Sequence, residues 1–460
     1  MAKQKIFLGH CASLEIAQAQ KDAFVALSIP PDRIQIHPDN LPADQQDEAR
    51  MQYGEVLIGI PVSPFSEYIQ AQLDIIVRDI EDEVTKRLIP RLDDCPQLLH
   101  YFSKHILPHK FTHLLRGLPP EYSVQLTDCL TRLQRLILES LFDVPVFSDL
   151  SFNLARIREG CGHVWAEDIA DCAYAASVIA SLAAIEKANT GFIAEVQRML
   201  EEGRQGLPNQ PPGPVRQFAG TLLALDPAFP LEDYLQLSNR ELRQLQSKFM
   251  IPRREARRRQ VEEVIAQDPK QQTIYESGKT PEARAWLDAI PKTSAMTMHG
   301  AEFRTALRNR CLVPHPQLSA IETCACGRPM DRLGIHAQKC PESKELTNQT
   351  HDRVVRTLAE MFRSCGSSCK VEVTGIFQNV APQNLQRMDL VVHDPGRPNC
   401  LYDVVVSNAV TRAIEDGKSN RVNQSQTTAR ERAKERKYST AAAASGMTFK
   451  GVAMEVQGKW

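Results

Sequence analysis

The C-terminal part of this chain carries the pattern that most limits its fold, because helical and extended segments follow one another there in a definite order. An amphipathic helix is predicted over HDRVVRTLAEMFRSC, and three strand-like apolar runs follow it: CKVEVTGIF, MDLVVH and LYDVVVS. A second helix, TTARERAKERKYSTAAAAS, and a last strand, MTFKGVAMEV, complete the order. This order predicts an α/β unit in which a small sheet is covered by helices.

Two aspartates lie on neighbouring predicted strands of this unit, on either side of a Pro/Gly turn. Asp389 and Asp403 are fourteen residues apart, so a hairpin would bring their carboxylates to one end of the sheet. Two carboxylates together with phosphate oxygens suit Mg²⁺, which prefers oxygen ligands and keeps several waters. Glu372, on the preceding strand, is a candidate third oxygen donor. The pattern also allows a plainer interpretation, in which both aspartates only end strands or form turns.

Cationic side chains on the following helix would complete a site for cutting a phosphodiester. Such hydrolysis needs a water activated by the metal and a positive charge that offsets the charge of the transition state. Arg430, Lys434 and either Lys437 or Tyr438 recur at three- to four-residue spacing, which predicts that they share one helix face. A metal-dependent nuclease is therefore one hypothesis for this unit.

Four metal-ligand residues lie close together just before this unit, in CACGRPMDRLGIHAQKC. They are Cys324, Cys326, His336 and Cys340. Three thiolates and an imidazole suit tetrahedral zinc, and four protein ligands predict a structural or nucleic-acid-binding role rather than a catalytic one. The alternatives are unrelated buried cysteines, or a site in which another residue replaces one ligand. The candidates for that replacement are His351, Cys365 and Cys369.

Composition indicates a soluble globular chain and leaves its partners open. Lys and Arg number 55 against 56 for Asp and Glu, so the net charge of -1 does not by itself indicate an anionic partner. No apolar run reaches the roughly 18 to 20 residues of a membrane span, and no secretory signal is evident. The twelve cysteines then favour metal sites over disulfides. We expect a nuclear or cytoplasmic protein without a membrane partner or a small-molecule substrate.

The segments before residues 324–340, which we call the Cys/His loop, are predicted to be mostly helical. The runs KIFLGHCASLEI and YGEVLIGIPVS favour short strands, whereas apolar spacing favours helices from residue 64 to about residue 141. A helix over residues 170–185 is rich in small apolar residues and should be buried in a core. Residues 203–215 contain four prolines and three glycines, which predicts a linker.

A basic helix is predicted beyond this linker. Eight Lys/Arg and two glutamates lie between residues 240 and 259. A solvated helix face is one interpretation, and a phosphate-contacting or nuclear-import patch is the other. The candidate nucleic-acid contacts in this patch are Arg253, Arg254, Arg257, Arg258 and Arg259.

Taken in order, these segments resemble the C-terminal half of the reverse-transcriptase polyproteins of non-LTR retrotransposons with a restriction-like endonuclease. YGEVLIGIPVS resembles the end of the polymerase palm, and HILPHKFTHLLRGLPPE resembles the thumb helices. GCGHVWAEDIADCAYAASVIASL, GKTPEARAWLDAIP and MHGAEFRTALRNRCLVP are similar to connecting segments. The Cys/His segment with THDRVVR is similar to their zinc knuckle. RMDL, LYDVVVSN and KERKY are similar to the endonuclease motifs, and GMTFKGVAMEVQG to the strand beyond them.

The resemblance implies an α+β multidomain protein with a mostly helical N-terminal region, a small zinc knuckle and a C-terminal α/β domain of the restriction-endonuclease, PD-(D/E)xK-like, type. The implied domains are 1–63, the end of a palm; 64–202, thumb-like helices; 203–215, a linker; 216–320, a helical connector with the basic patch; 321–345, the CCHC zinc knuckle; and 346–460, the endonuclease domain. Structural Zn²⁺ and catalytic Mg²⁺ are the implied cofactors.

The function implied by the resemblance is Mg²⁺-dependent nicking of a DNA target site, which primes reverse transcription of the element's RNA. Target DNA and element RNA are the implied partners. Asp389 and Asp403 would bind Mg²⁺, and Lys434 or Lys437 would replace the lysine that related nucleases carry two residues after the second acid. The candidate nucleic-acid contacts near the cut are Arg387, Arg430 and Tyr438.

The chain departs from the family's pattern at several positions. Val405 occupies the place of the in-strand lysine, and Met388 replaces a proline without removing a ligand. The polymerase requires an aromatic-x-Asp-Asp pair, but Asp93-Asp94 follows Arg-Leu and is predicted to lie in a surface loop. We therefore expect a truncated, retrotransposon-derived protein that does not polymerise DNA. DNA endonuclease activity is the hypothesis for it, and a catalytically inactive nucleic-acid-binding relic is the alternative.

Overall fold

The computed structural model shows a mixed α+β protein, as the sequence predicts. Helices predominate, and a four-stranded sheet lies near the C-terminus. The described residues are 6–7, 14–26, 34–57, 60–205, 214–290, 297–377, 387–417 and 426–456.

The chain divides into two compact units, each made of three segments. The first unit comprises Met1–Asp93, Phe102–Ile137 and Val164–Glu255. The second unit comprises Asp94–Tyr101, Leu138–His163 and Ala256–Trp460. The Cys/His loop and the two candidate aspartates therefore belong to the same unit.

The first unit begins with short strands. β1 (Ile6–Phe7) pairs in parallel with β2 (Ile34–Gln35), and β3 (Glu55–Leu57) forms an antiparallel pair with β4 (Ile60–Val62). Both segments predicted to be extended thus contain strands. In the first of them, however, the run LEI begins a helix instead, since α1 starts at Leu14.

Helices form most of the chain between residues 14 and 319. They are α1 (Leu14–Ala26), α2 (Ala43–Gln52), α3 (Ser66–Asp82), α4 (Ile89–Leu92), α5 (Pro96–Tyr101), α6 (Leu107–Gly117), α7 (Pro120–Phe142), α8 (Asp149–Arg156), α9 (Ala166–Ala188), α10 (Phe192–Arg204), α11 (Pro214–Leu225), α12 (Leu231–Leu235), α13 (Asn239–Leu242), α14 (Leu245–Ile265), α15 (Pro269–Gly278), α16 (Pro281–Arg284), α17 (Gly300–Arg310) and α18 (Pro316–Ser319). The helical pattern predicted from residue 64 onward is therefore confirmed. Asp93 and Asp94 lie in an exposed turn between α4 and α5, as predicted.

Helix α9 is the one helix of the described ranges that is long and apolar enough to cross a membrane, judged by length and composition. Its stretch without charged residues, between Asp171 and Glu186, is shorter than the roughly 18 to 20 residues of a membrane span, as predicted. Of the residues in its most apolar stretch, 56% are buried. Tyr174, Ile179 and Leu182 pack in one apolar cluster with Phe218 and Leu222. This packing is that of a core helix, which is the role predicted for residues 170–185.

Helices extend into both ends of the predicted linker. Helix α10 ends at Arg204, and α11 begins at Pro214. A proline is tolerated at the first position of a helix because its missing N–H would have no partner there. Residues 206–213, the centre of the predicted linker, lie outside the described residues.

The C-terminal part contains the predicted helix, strand, strand, strand, helix, strand order. Its elements are α19 (Lys344–Ser364), β5 (Ser368–Thr374), β6 (Arg387–His393), β7 (Cys400–Ser407), the short α20 (Arg412–Glu415), α21 (Gln426–Ala444) and β8 (Thr448–Glu455). The sheet order is β5-β6-β7-β8. The first three strands are antiparallel, and β8 runs parallel to β7 because α21 returns the chain to the starting end.

The apolar side chains of this sheet pack against both long helices. Met388 and Leu401 lie in one cluster with Tyr438 of α21, and Leu390 and Val392 lie in another with Ala359 of α19. The helices are thereby held against the strands that carry the two candidate aspartates. Polar side chains that project from α19 and α21 can then reach those aspartates.

Candidate functional site

Asp389 and Asp403 lie at the same end of the β6–β7 hairpin. These antiparallel strands pair at Leu390 and Tyr402; Asp389 directly precedes Leu390, and Asp403 directly follows Tyr402. Their side chains lie within hydrogen-bonding reach of each other. The hairpin therefore brings the two carboxyl groups together, as the sequence predicts. Two adjacent carboxylates repel one another, so a cation between them would stabilise the arrangement.

Asp403 is the more shielded of the two acids and has a lysine partner. Its side chain is 9% exposed, and the Lys434 ammonium donates to Oδ2 at 2.8 Å. Burial raises the pKa of Asp403, and the neighbouring Asp389 raises it further, whereas the ammonium of Lys434 opposes both effects. Lys434 thus provides a positive charge directly at the candidate metal-binding edge of the sheet.

Asp389 is held by hydrogen bonds to one of its oxygens. Oδ2 accepts the backbone N–H of Val404 at 2.7 Å and lies 3.2 Å from Nε2 of His351. Burial opposes ionisation, but these hydrogen bonds outweigh it and lower the pKa of Asp389. The carboxylate form of Asp389 is therefore favoured by the surrounding fold.

His351 belongs to this site, where the sequence had suggested it only as a substitute zinc ligand. Its Nε2 is also 3.2 Å from the Val404 carbonyl, and its Nδ1 lies 3.2 Å from Oδ1 of Asp352. The hydrogen bond with Asp389 raises the pKa of His351 to about 9, and burial only partly opposes it. The signal that sequence reasoning missed is the position of His351 on the helix that follows the Cys/His loop.

The basic residues of α21 do not all face the sheet. Lys434 is partly buried against Asp403, whereas Arg430 and Lys437 are exposed. The Lys437 ammonium lies 4.7 Å from the centre of the Tyr438 ring. Tyr438 itself is 5% exposed and lies in the apolar cluster beneath the helix. Of the two lysines suggested by the sequence, Lys434 is therefore the one that reaches the aspartates.

Glu372 lies beside the same site, in an unusual backbone conformation. Its φ of 53° is in the left-handed region, which is strained for a glutamate inside a strand. Its carboxylate accepts a hydrogen bond from Arg387 at 2.9 Å. Glu372, Asp389 and His351 line one cleft of about 340 Å³. The cleft therefore gives solvent access to Asp389 and Glu372.

The arginines of α14 differ in how they are engaged. Arg253 forms an ion pair with Asp171 at 2.9 Å, and Arg258 approaches Glu262 at 3.5 Å. Arg254 and Arg259 are exposed, and Arg257 is partly buried. Part of the predicted basic patch is thus neutralised by acidic neighbours, and part is presented to solvent.

The Cys/His loop brings its four predicted ligands together. Every ligand atom lies within 4.8 Å of the other three. Cys324 and Cys340 have their sulfurs 3.4 Å apart, and Cys326 Sγ is 3.2 Å from His336 Nε2. Hydrogen bonds, first from the Cys326 backbone, lower the pKa of Cys324 to about 7. Three sulfurs and one nitrogen at these separations fit a tetrahedral metal such as zinc.

Local backbone geometry explains why this short segment can close. Gly327 and Gly334 have φ of 80° and 72°, values that favour glycine. The Asp331 carboxylate accepts backbone N–H groups of Leu333 and Ile335 at 3.1 and 2.9 Å, and also that of His336. The turn that presents His336 is therefore fixed by a side chain inside the loop itself.

The loop is also attached to the segment that follows β7. Lys339 Nζ donates to the Val410 carbonyl at 2.9 Å and pairs with Glu415 at 2.7 Å. Ile335 lies in one apolar cluster with Val410 and Ile414. Helix α19, which carries His351, begins shortly after Cys340. The loop therefore contacts the segment that follows β7, the strand of Asp403, and leads directly into α19, the helix of His351.

The two sites differ in how completely the protein supplies metal ligands. Among the described residues, the Cys/His set is the only group in which three or more ligand atoms lie within 4.8 Å of one another. At the second site, Asp389 and Asp403 offer two neighbouring carboxyl groups, fewer protein ligands than the Cys/His set supplies.

No protein-family model matches the chain, and no curated protein is significantly similar to it.

Proposed function

We propose that this chain is a metal-dependent DNA endonuclease related to the target-site nicking enzymes of non-LTR retrotransposons. One observation carries the proposal: Asp389 and Asp403 lie within hydrogen-bonding reach of each other on neighbouring strands, and the Lys434 ammonium is 2.8 Å from Asp403. Paired carboxylates can hold the metal ion for phosphodiester hydrolysis, and a lysine beside them can offset the negative charge that develops in the transition state. Two acids that only ended their strands would have no reason to lie side by side next to a lysine.

Each residue has a distinct part in the proposed reaction. Asp389 and Asp403 would hold Mg²⁺, which supplies a water of lowered pKa and neutralises phosphate charge. The hydrogen bonds with His351 and with the Val404 N–H orient Asp389 and lower its pKa. Lys434 adds a positive charge where negative charge develops, and partial burial strengthens that effect relative to open solvent. The cleft of about 340 Å³ beside Glu372 opens onto Asp389, where the phosphodiester would bind.

Binding of the nucleic acid is assigned to basic groups outside the acid pair. The exposed Arg254, Arg259 and Arg430 can contact phosphates. The Cys/His loop holds zinc and, by the family resemblance, contacts nucleic acid near the cut. Target DNA and element RNA are the proposed partners, and the protein acts in the nucleus or the cytoplasm.

A catalytically inactive nucleic-acid-binding protein is the second candidate, and one observation favours it. Oδ2 of Asp389 is already engaged by His351 and by the Val404 N–H. A protonated His351 neutralises the charge that would attract a metal. In this case the basic residues and the Cys/His loop retain nucleic-acid binding, but the two acids hold no divalent ion.

Nicking of supercoiled plasmid in Mg²⁺ or Mn²⁺ tests the proposal. We expect the wild type to nick and Asp389→Ala to lose at least about a thousandfold in rate, the range expected when a metal site is removed. Asp394→Asn, a change at the other end of the same hairpin, serves as the matched control and should nick normally. Equal cutting by wild type and Asp389→Ala would contradict the proposal. Salt-sensitive binding without any cutting would establish the inactive alternative.

A further inference from the structure

Gly451 of β8 stands directly beside Asp403 in the sheet. The parallel register of β7 and β8 pairs these two residues. A Cβ atom added to Gly451 would lie 3.1 Å from the Glu431 carbonyl oxygen and 3.2 Å from Cβ of Lys434. Both neighbours belong to α21, so this helix approaches β8 closely at a position where the strand has no side chain.

This close approach is tight enough to depend on glycine. Ordinary van der Waals contacts of a Cβ atom lie at 3.4–4 Å, so an alanine would require α21 to move by a few tenths of an ångström. The Glu431 carbonyl is backbone and cannot rotate away as a long side chain would. The same helical turn is also tied to β8, because Glu431 accepts the Ala453 N–H at 3.4 Å.

The consequence falls on Lys434, one turn along the helix from Glu431. Lys434 reaches Asp403 from a helix rather than from the strand, since Val405 occupies the in-strand position where related nucleases carry a lysine. A lysine on a helix can serve the acid only if the helix backbone lies near the strand. We infer that Gly451 is a positioning residue that sets the approach of α21 and thereby places the Lys434 ammonium on Asp403. The inference deepens the proposed function and rests on it for its catalytic meaning.

A double-mutant cycle on nicking rate tests the catalytic consequence. Gly451→Ala should lower the rate about tenfold, since displacements of about an ångström can cost a hundredfold. In a Lys434→Ala background the same change should have no further effect, because the group it positions is gone. Independent, multiplicative losses would overturn the inference and assign Gly451 a general structural role.

A second cycle measures positioning without any catalysis. The coupling between Lys434 and Asp403 is obtained from urea unfolding of Lys434→Ala, Asp403→Ala and the double variant. We expect this coupling in the wild-type background and its loss in the Gly451→Ala background. An unchanged coupling would overturn the inference even if the protein nicks DNA. A lost coupling in a protein that never nicks would support the positioning role and reject the proposed function alone.

Two further variants separate the lysine from general effects of alanine. Gly220→Ala, in helix α11 where an added Cβ meets nothing within 4 Å, is the control and should leave both measurements unchanged. Val405→Lys combined with Lys434→Ala moves the lysine into the strand. Nicking by that variant should be insensitive to Gly451→Ala. A Gly451→Ala protein without a cooperative melt would overturn the inference, since the glycine would then be needed for folding.

Discussion

The Cys/His loop and the two-aspartate site are both candidate metal centres, but they are assembled in different ways. The loop takes all four ligands from seventeen consecutive residues, and its turns are fixed by its own glycines and Asp331. The aspartate site draws on α19, β6, β7 and α21, with β8 supporting the last. Its parts are brought together only when the whole sheet has formed.

This difference separates a centre that supports the fold from one that depends on it. The loop contacts the segment after β7 through Lys339 and leads directly into α19. A metal bound to the loop would therefore help to hold the elements that carry His351 and Asp403. At the aspartate site, the two like-charged carboxyl groups must be held together by the fold before any cation arrives. We expect metal loss at the loop to change stability, and metal loss at the aspartates to change activity.

Loss of the zinc ligands should produce the largest effect. Cys326→Ser is expected to abolish zinc binding and to lower the free energy of unfolding of the second unit by at least about 3 kcal/mol, because structural zinc contributes strongly to folding. Zinc content and a thermal melt measure the two outcomes. Nicking should fall in proportion to the folded fraction.

Cys365→Ser and Cys369→Ser are the matched controls for this experiment. Both residues were alternative ligands from the sequence, and neither is part of the four-residue cluster. Each variant should retain its zinc and its melting temperature. Loss of zinc in either control, with retention in Cys326→Ser, would contradict the ligand set and remove the contrast between the two centres.

The lysines of α21 provide the next test, at the aspartate site. Lys434→Ala should lower nicking about a hundredfold, since it removes a partly buried charge 2.8 Å from Asp403. Lys437→Ala is the control one turn away, where the ammonium lies over the Tyr438 ring in solvent. It should change the rate less than about threefold. A larger loss for Lys437→Ala than for Lys434→Ala would contradict the arrangement of this site.

The sequence was sufficient for features that are set by neighbouring residues. The Cys/His ligands, the hairpin with Asp389 and Asp403, and the helix and strand order all follow from local spacing, and the structure agrees with them. The strand KIFLGHCASLEI was predicted less well, because an apolar run such as LEI fits a helix as readily as a strand.

The sequence was insufficient where the site depends on packing between distant elements. Helical spacing placed Arg430, Lys434 and Lys437 together, but only the packing of α21 on β8 decides that Lys434 faces Asp403 and Lys437 faces solvent. Tyr438 shares the helix with them and is buried in the apolar core. Gly451 carries no functional group, so no motif would single it out.

The smallest expected effect concerns His351, which connects α19, the helix after the Cys/His loop, to Asp389 of the two-aspartate site. Its pKa of about 9 lies above the roughly 6.5 of an unfolded chain. A raised pKa means that the ion pair stabilises the fold fully below about pH 6.5 and that this contribution is lost as pH rises through about 9.

The free energy of unfolding of His351→Gln, measured without divalent ions, tests this contribution. At pH 6 it should be about 1 kcal/mol lower than that of the wild type, and above pH 9 the two should be equal. A difference independent of pH would mean that His351 supports the site by packing alone. In that case the charge on Asp389 would be balanced elsewhere, and the competition between His351 and a metal, on which the inactive alternative depends, would not exist.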